Sequence, residues 1–245
     1  HRVRNARQLL LRCSTAGVPA RVGNCSCVAL PRASLPASGC GPQGSPVLSF
    51  AFLDTTYEGI ATMLAGSMVA VVTPMDADGA VNYRQFAKVI DFHVDAGTEA
   101  LVVAGTTGES ATLDHAEHID VIEKACELAG GRVPIVAGTG SNSTSQTLKL
   151  SRAVDRLPIA AFLVVTPYCN KPTQEGMRRH FSAIADAVSR PLILYNVPGR
   201  TGVDLKPDTV IKLAAHANIG AIKEATGELN RVHVLRDALG TKFQL

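Results

Sequence analysis

The sequence predicts an α/β fold of the (β/α)8 barrel type, beginning near residue 63 and carried through six β/α units. Three observations predict it. Short runs that are apolar on both faces alternate with amphipathic helical patterns at a period of roughly 25 to 35 residues, the mark of parallel βαβ units. Polar or glycine-rich residues follow almost every run: Thr73-Pro74, Gly105-Thr106-Thr107-Gly108-Glu109, Gly138-Thr139-Gly140, Thr166-Pro167-Tyr168, Tyr195-Asn196-Val197-Pro198 and Lys223-Glu224. A doubly wound sheet gathers its distinctive residues at one switch point, whereas a barrel brings every strand C-terminus to one mouth, so marked ends on every strand favour the barrel.

The elements follow in order. Ser67 to Val72 is a continuous apolar run stopped by Thr73-Pro74. Asn82 is placed to cap a helix whose Phe86, Val89, Ile90 and Val94 share one face and which Gly97 closes. Ala100 to Ala104 is the second strand, and a helix from about Asp114 to Ala129 carries Ile119, Ile122, Cys126 and Leu128. Strand Val133 to Ala137 precedes helix Asn142 to Val154, and strand Ala161 to Val165 precedes helix Gln174 to Val188. Strand Pro191 to Tyr195 leads to helix Pro207 to Ala215, strand Ile219 to Lys223 leads to helix Leu229 to Leu239, and Phe243 opens a seventh strand. A full barrel needs about 250 residues and eight units, and an unclosed one leaves open strand edges. The expectation is therefore a TIM barrel truncated after about six βα units, a piece of a longer protein.

Residues 1–62 read as a non-core, disordered leader. They hold six Arg, two acidic residues (Asp54 and Glu58), no Lys and four of the six Cys, which leaves 18 of the 24 basic and 19 of the 21 acidic residues in the body. The body is thus close to neutral, and the overall charge of +3 gives no ground for a nucleic-acid partner. The leader's composition fits an organelle transit peptide, translated upstream sequence or a genuine extension, and Met63 stands where a start is natural. Its apolar runs, Leu9 to Leu11 and Val47 to Leu53, are far shorter than a membrane span. Cys25-Ser26-Cys27 lacks the spacing and the second pair of a zinc site. Cys126 and Cys169 are too few for a disulfide framework, which fits a reducing compartment.

Within the body, Ile219 to Glu224 places a lysine where a buried strand meets a loop. Partial burial lowers the pKa of such an amine towards the neutral form that attacks carbonyls, as Schiff-base chemistry needs; the plainer alternative is a lysine reaching into solvent. The loop Gly105 to Ser110 can bring backbone N–H groups and hydroxyls near a helix N-terminus, which suits a small carboxylate, or it is a tight turn capped by its own side chains. Tyr195 ends the strand beside the lysine strand and can serve in proton transfer or simply anchor that strand. Arg200, on a glycine-flanked loop, offers a forked donor for a carboxylate or is a surface arginine. His115 and His118 can share a helix face, but no third ligand stands at a metal spacing, so they read as a solvated face. Gly138-Thr139-Gly140 lacks the third glycine of a dinucleotide fingerprint and no Walker lysine is present. No cofactor and no metal is expected.

From Met63 onward the chain resembles the dihydrodipicolinate synthase family, within the pyruvate-dependent lyases and aldolases that include N-acetylneuraminate lyase. The resemblance is carried by Gly105-Thr106-Thr107-Gly108-Glu109, Thr166-Pro167-Tyr168, Tyr195-Asn196-Val197-Pro198-Gly199-Arg200-Thr201-Gly202 and Ile222-Lys223-Glu224-Ala225-Thr226-Gly227. The paired threonines and the arginine loop look like the synthases rather than the neuraminate lyases. It implies condensation of pyruvate with L-aspartate 4-semialdehyde on the route to diaminopimelate and lysine. Lys223 would form the Schiff base, Thr107 would bind the pyruvate carboxylate, Tyr195 and Thr106 would belong to a proton relay, and Arg200 would hold the carboxylate of the semialdehyde. A homotetramer built from tight dimers is implied as well, and location in the cytoplasm, or in a plastid if the leader is a transit peptide.

Two departures from the family pattern stand out. The family completes its relay with a second tyrosine contributed across a dimer contact, where this chain has Cys169, a shorter and weaker hydrogen-bonding group; lowered turnover is expected. Feedback inhibition by lysine in the family uses residues matching Ser110, Ala111, His115, His118, Asn142 and Tyr168, with a glutamate where Gln146 stands. Losing that carboxylate predicts weaker inhibition. The competing expectations are another pyruvate aldolase of the superfamily and an inactive truncated chain that keeps the motifs.

Overall fold

The computed structural model describes residues 66–245, so the expectations placed on the leader, its apolar runs, Cys25 and Cys27, and the start at Met63 lie outside the described residues. Strand β1 (Met68–Ala70) is followed by α1 (Tyr83–Asp95), β2 (Ala100–Val103), a single 3-10 turn (Ser110–Thr112), α2 (His115–Ala129) and β3 (Ile135–Gly138). Then come α3 (Thr144–Val154), β4 (Ala161–Val165), α4 (Gln174–Ala185), β5 (Leu192–Asn196), a one-turn helix α5 (Pro198–Thr201), α6 (Pro207–Leu213), β6 (Ile219–Glu224) and α7 (Asn230–Leu239). All six strands are parallel and pair in sequence order, β1-β2-β3-β4-β5-β6. The expected seventh strand begins as foreseen. Gln244 bridges Ala221 in parallel, its amide donates to the Gly220 carbonyl at 3.0 Å, and Phe243 is fully buried.

Strand parity divides the apolar residues into two layers. Leu101, Val103, Ile135, Ala137, Phe162, Val164, Leu192 and Leu194 face the helices and pack with Phe86, Ile90, Val121, Ile122, Met177, Phe181 and Ile184. The alternate residues Ala100, Val102, Val136, Ala161, Leu163, Ile193 and Tyr195 fill the other face of the sheet, the inner side of the barrel curve. Both faces of β2 to β5 are therefore buried, as continuous apolar runs require, whereas edge strand β1 stays partly exposed. Several exposed large apolar residues lie at the ends of the sheet, Met68 and Val72 beside β1 and Leu229, Val232 and Val234 around α7. These are places that neighbouring units cover in a closed barrel.

Local chemistry sets the helix ends. Asn82 caps α1 by accepting the Gln85 amide, Asp114 and Glu117 form a capping box on α2, and Ser143 and Thr173 cap α3 and α4. Strand β3 starts after Pro134, two residues later than the hydropathy indicates, and α4 stops at Ala185 with its cap on Asp186.

One buried group makes the fold acid-sensitive. His180 on α4 hydrogen-bonds Thr144 Oγ1 through Nδ1 at 2.8 Å, while its buried Nε2 has no partner among the described residues. Burial pushes its pKa down to about 4. The folded value lies below the unfolded one of about 6.5, so this contribution is complete above that pH and is lost as pH falls from there through 4. Thermal unfolding between pH 7 and 4 should show wild type losing roughly 3 kcal/mol more than His180→Gln by pH 4; parallel curves would refute this.

Candidate active site

Lys223 reaches the mouth through an irregularity in β6. Leu192 pairs with Ile219 but Ile193 pairs with Ala221, so Gly220 has no partner in β5. This bulge resets the alternation: Ile219 and Ile222 both face the helix layer, Ala221 faces the inner layer, and Lys223 falls level with Tyr195. The Lys223 Nζ lies 4.7 Å from the centroid of the Tyr195 ring. The ring face favours an ammonium, but withdrawal from solvent favours the neutral amine. Desolvation wins, and the Lys223 pKa is lowered although the residue as a whole is exposed. Lys223 thus combines a lowered pKa with access to solvent.

Tyr195 is buried among inner-layer residues and lines a recess at the strand ends together with Thr106, Ser110, Gly138, Gly140, Leu163 and Val165. The Thr106 loop begins at Ala104, which takes φ 51°, and is closed by the Glu109 and Ser110 amides, which donate to the Thr106 and Gly105 carbonyls at 3.2 and 3.3 Å. Thr106 and Thr107 both stay exposed. No long helix begins at this loop. The 3-10 turn follows it, and α2 starts beyond, its N-terminus closed by the Asp114 and Glu117 carboxylates, so the expected contribution of a helix N-terminus to carboxylate binding is not found.

The structure joins some sequence-predicted residues and separates others. Thr106 and Tyr195 line one recess, and Lys223 stands beside it over the Tyr195 ring. Arg200 is exposed on α5, and among the described residues its guanidinium has no ion pair and no hydrogen bond to that group. Cys169 is exposed with φ 72°, and its amide donates to the Thr201 carbonyl at 3.2 Å, which ties the altered relay position to the arginine turn. Cys126, by contrast, is buried with its thiol pushed up to about 11, an unreactive core residue.

His118 corrects the sequence reading. It does not share a solvated face with exposed His115: it lies on the buried stripe of α2 with Val121, Ile122 and Ala125, and its Nε2 bonds the Gly138 carbonyl at 2.7 Å. Burial lowers its pKa. Of the other residues named for a lysine effector, Ser110 lines the recess, Ala111 is exposed, and Tyr168 is half-buried. The Asn142 carbonyl accepts from Asn170 Nδ2 at 2.9 Å, and exposed Gln146 accepts from Ser141 Oγ at 3.2 Å. Among the described residues no group of three or more His, Cys, Asp or Glu is placed to hold a metal ion, and no helix is long and apolar enough to cross a membrane.

The sequence reading missed a polar network behind the lysine. Asn196 and Glu224, each one residue past Tyr195 and Lys223, point to the opposite face of the sheet and meet Asp204 and Arg231 there. Parity is the signal that could have found them.

Six parallel β/α units with a desolvated lysine at one strand end and a tyrosine and threonine-rich loop at others define a barrel of the kind that performs chemistry at its C-terminal mouth. Residues 63–245 match the profile of the dihydrodipicolinate synthetase family, and the chain belongs to that family. It is 56% identical over 183 residues to a 4-hydroxy-tetrahydrodipicolinate synthase of Trichlorobacter lovleyi, covering 75% of this chain and 63% of the relative. Dihydrodipicolinate synthase from Acinetobacter baumannii complexed with pyruvate superposes with a TM-score of 0.71 at 52% identity, over 73% of this chain and 61% of that one. The enzyme from Cyanidioschyzon merolae with lysine bound gives 0.70 at 39% identity, over 72% and 61%. The chain spans 62 or 63% of the length of the curated relatives it matches.

Proposed function

We propose that this chain carries the pyruvate-activating machinery of a 4-hydroxy-tetrahydrodipicolinate synthase, a lyase of lysine and diaminopimelate biosynthesis. The observation that carries the reading is Lys223: an amine with lowered pKa, reachable at a strand end, over the Tyr195 ring. Its neutral form attacks the keto carbon of pyruvate, and loss of water leaves an imine. Removing a methyl proton gives the enamine, whose carbon attacks the aldehyde of L-aspartate 4-semialdehyde; the semialdehyde's amino group then displaces Lys223 and closes the ring. Tyr195 and Thr106, in one recess, pass the protons that these steps consume and release. Thr107 on the same loop takes the pyruvate carboxylate, and Arg200, exposed and without an ion pair among the described residues, takes the carboxylate of the semialdehyde.

Borohydride reduction of the chain with pyruvate, followed by peptide mapping, tests the reading: an adduct confined to Lys223 is expected. An adduct spread over surface lysines, or none, would leave family membership standing and make this chain a non-catalytic product.

At the relay, Cys169 should be limiting. Cys169→Tyr keeps a Cβ at a position that already tolerates φ 72° and should raise the condensation rate about a hundredfold, the low end of a general acid–base contribution. An unchanged rate would show that the position takes no part. For regulation, Gln146→Glu supplies a carboxylate for the ammonium of a lysine effector and should lower the half-inhibiting lysine concentration about tenfold, the worth of one charge-assisted hydrogen bond. Equal sensitivity of the two proteins would remove Gln146 from the effector site. A homotetramer of tight dimers belongs to the same reading and is open to mass photometry. A cytoplasmic home, or a plastid if residues 1–62 act as a transit segment, belongs to the same reading.

A further inference from the structure

Glu224 is mostly buried, with its side chain 8% exposed, and lies where the ends of β5, β6 and α7 converge. Both of its oxygens accept from Asn196 Nδ2 at 3.2 Å, and Oε1 also accepts the Thr226 amide at 3.0 Å. Asn196 is fully buried, and its orientation is fixed from both ends: Oδ1 accepts the Leu205 amide at 3.0 Å while Nδ2 also donates to Asp204 Oδ1 at 3.0 Å. The flipped amide would set its NH2 against the Leu205 N–H and its oxygen against two carboxylates, so only one orientation satisfies these partners. Arg231 closes the cluster with a two-pronged contact to Asp204 at 2.8 and 2.7 Å, a bond to Glu228 at 2.7 Å and an approach of 4.0 Å to Glu224. Hydrogen bonding to Arg231 is the main cause of the lowered pKa of Asp204.

This is far more polar construction than a strand end needs for pairing alone. The backbone already joins the same residues, since Asn196 pairs with Glu224 in register and the Asn196 carbonyl accepts the Ala225 amide at 2.9 Å. The side chains add a second fastening on the helix side of the sheet, one residue beyond Lys223 and one beyond Tyr195. Buried side-chain bonds of this kind fix a geometry, because any slippage leaves a carboxylate or an amide unpaired away from water.

We propose that Glu224, gripped by Asn196 and supported by the Arg231–Asp204 pair, is a positioning residue for Lys223: it locks the end of β6 so that the amine is held against the Tyr195 ring. It touches no substrate and acts through the strand. The role deepens the proposed function, on which its catalytic meaning rests, yet it makes a claim about the amine itself that needs no pyruvate.

Competitive acetylation across pH, read residue by residue by peptide mass spectrometry, measures how Lys223 titrates, with Lys88, Lys149 and Lys212 of the same chain as internal references. In Glu224→Gln the end of β6 loosens and Lys223 regains solvent. Its midpoint should rise above the wild-type value, and its labelling at neutral pH, normalised to those lysines, should fall threefold or more, about half a pKa unit or beyond. Arg231→Lys, which loses the two-pronged contact, should move Lys223 the same way by less. Glu175→Gln removes an exposed ion pair with Arg178 and Arg179 far along the chain and should leave Lys223 unmoved. A merely structural role would lower the melting temperature of Glu224→Gln without changing the Lys223 midpoint below the transition, and that result overturns the proposal. A midpoint that shifts in a protein never trapped by pyruvate upholds the positioning role and sinks the synthase reading; trapping equal in rate in wild type and Glu224→Gln, with equal midpoints, does the reverse.

Discussion

On the proposed reading Lys223→Ala should lower turnover by about 10^4-fold or more, the scale on which a covalent nucleophile is lost, with the melting temperature held within about 2 °C. The second half of that expectation follows from placement. Lys223 is exposed at the end of β6, makes no salt bridge among the described residues, and its one ring contact is to Tyr195. Removing its side chain therefore opens no cavity in either apolar layer. Lys223→Arg should fail as completely, because a guanidinium keeps its charge at every accessible pH and offers no neutral nitrogen to a carbonyl. Condensation rates of the two variants, measured beside their melting curves, check both parts; a loss below about 10^2-fold in Lys223→Ala would mean that another group carries the first bond.

Tyr195→Phe separates the two services that one side chain provides. On the proposed reading the ring supports the amine and the hydroxyl moves protons. Phenylalanine keeps the ring 4.7 Å from the ammonium and fills the same space in the inner layer, so imine formation, followed by borohydride trapping, should stay within about threefold of wild type. Overall condensation should fall about 10^2- to 10^3-fold, the contribution of a placed acid-base group. Tyr195→Leu, which also loses the ring, should slow trapping as well. If trapping and condensation fell together in Tyr195→Phe, the hydroxyl would be acting before the imine forms.

Much of this architecture can be read in the residues, and the rest is hidden for physical reasons. Runs such as Ala161 to Val165 declare themselves because both faces of a parallel strand are covered, and Asn82 and Gly97 mark a helix because caps obey local chemistry. Lys223 and Tyr195 were legible as the polar residues that end two such runs. The loop Gly105 to Ser110 was recognisable as a mouth element, but its backbone is a turn closed on itself, since glycine spacing does not say where the next helix begins. His118 was misread because histidine is polar by type, and only packing reveals that α2 turns it onto the Gly138 carbonyl. The network of Asn196, Asp204, Glu224 and Arg231 joins residues up to 35 positions apart, and nothing in the spacing of Asp204 or Arg231 announces the meeting.

Gly220 also decides how this part of the chain tolerates changes in length. Having no partner in β5, it is one residue of slack in β6. Deleting it would leave a plain alternating strand with Lys223 still level with Tyr195. Removing or adding a residue between Ala221 and Lys223 would instead swing the amine behind the sheet and present Ile222 or Glu224 to the mouth. Two neighbouring deletions would thus have opposite fates, one keeping the amine in phase while removing the carbonyl that accepts the Gln244 amide, the other exchanging a base for an oily or acidic side chain. Anyone grafting this lysine into another barrel must copy the phase of the strand along with the residue.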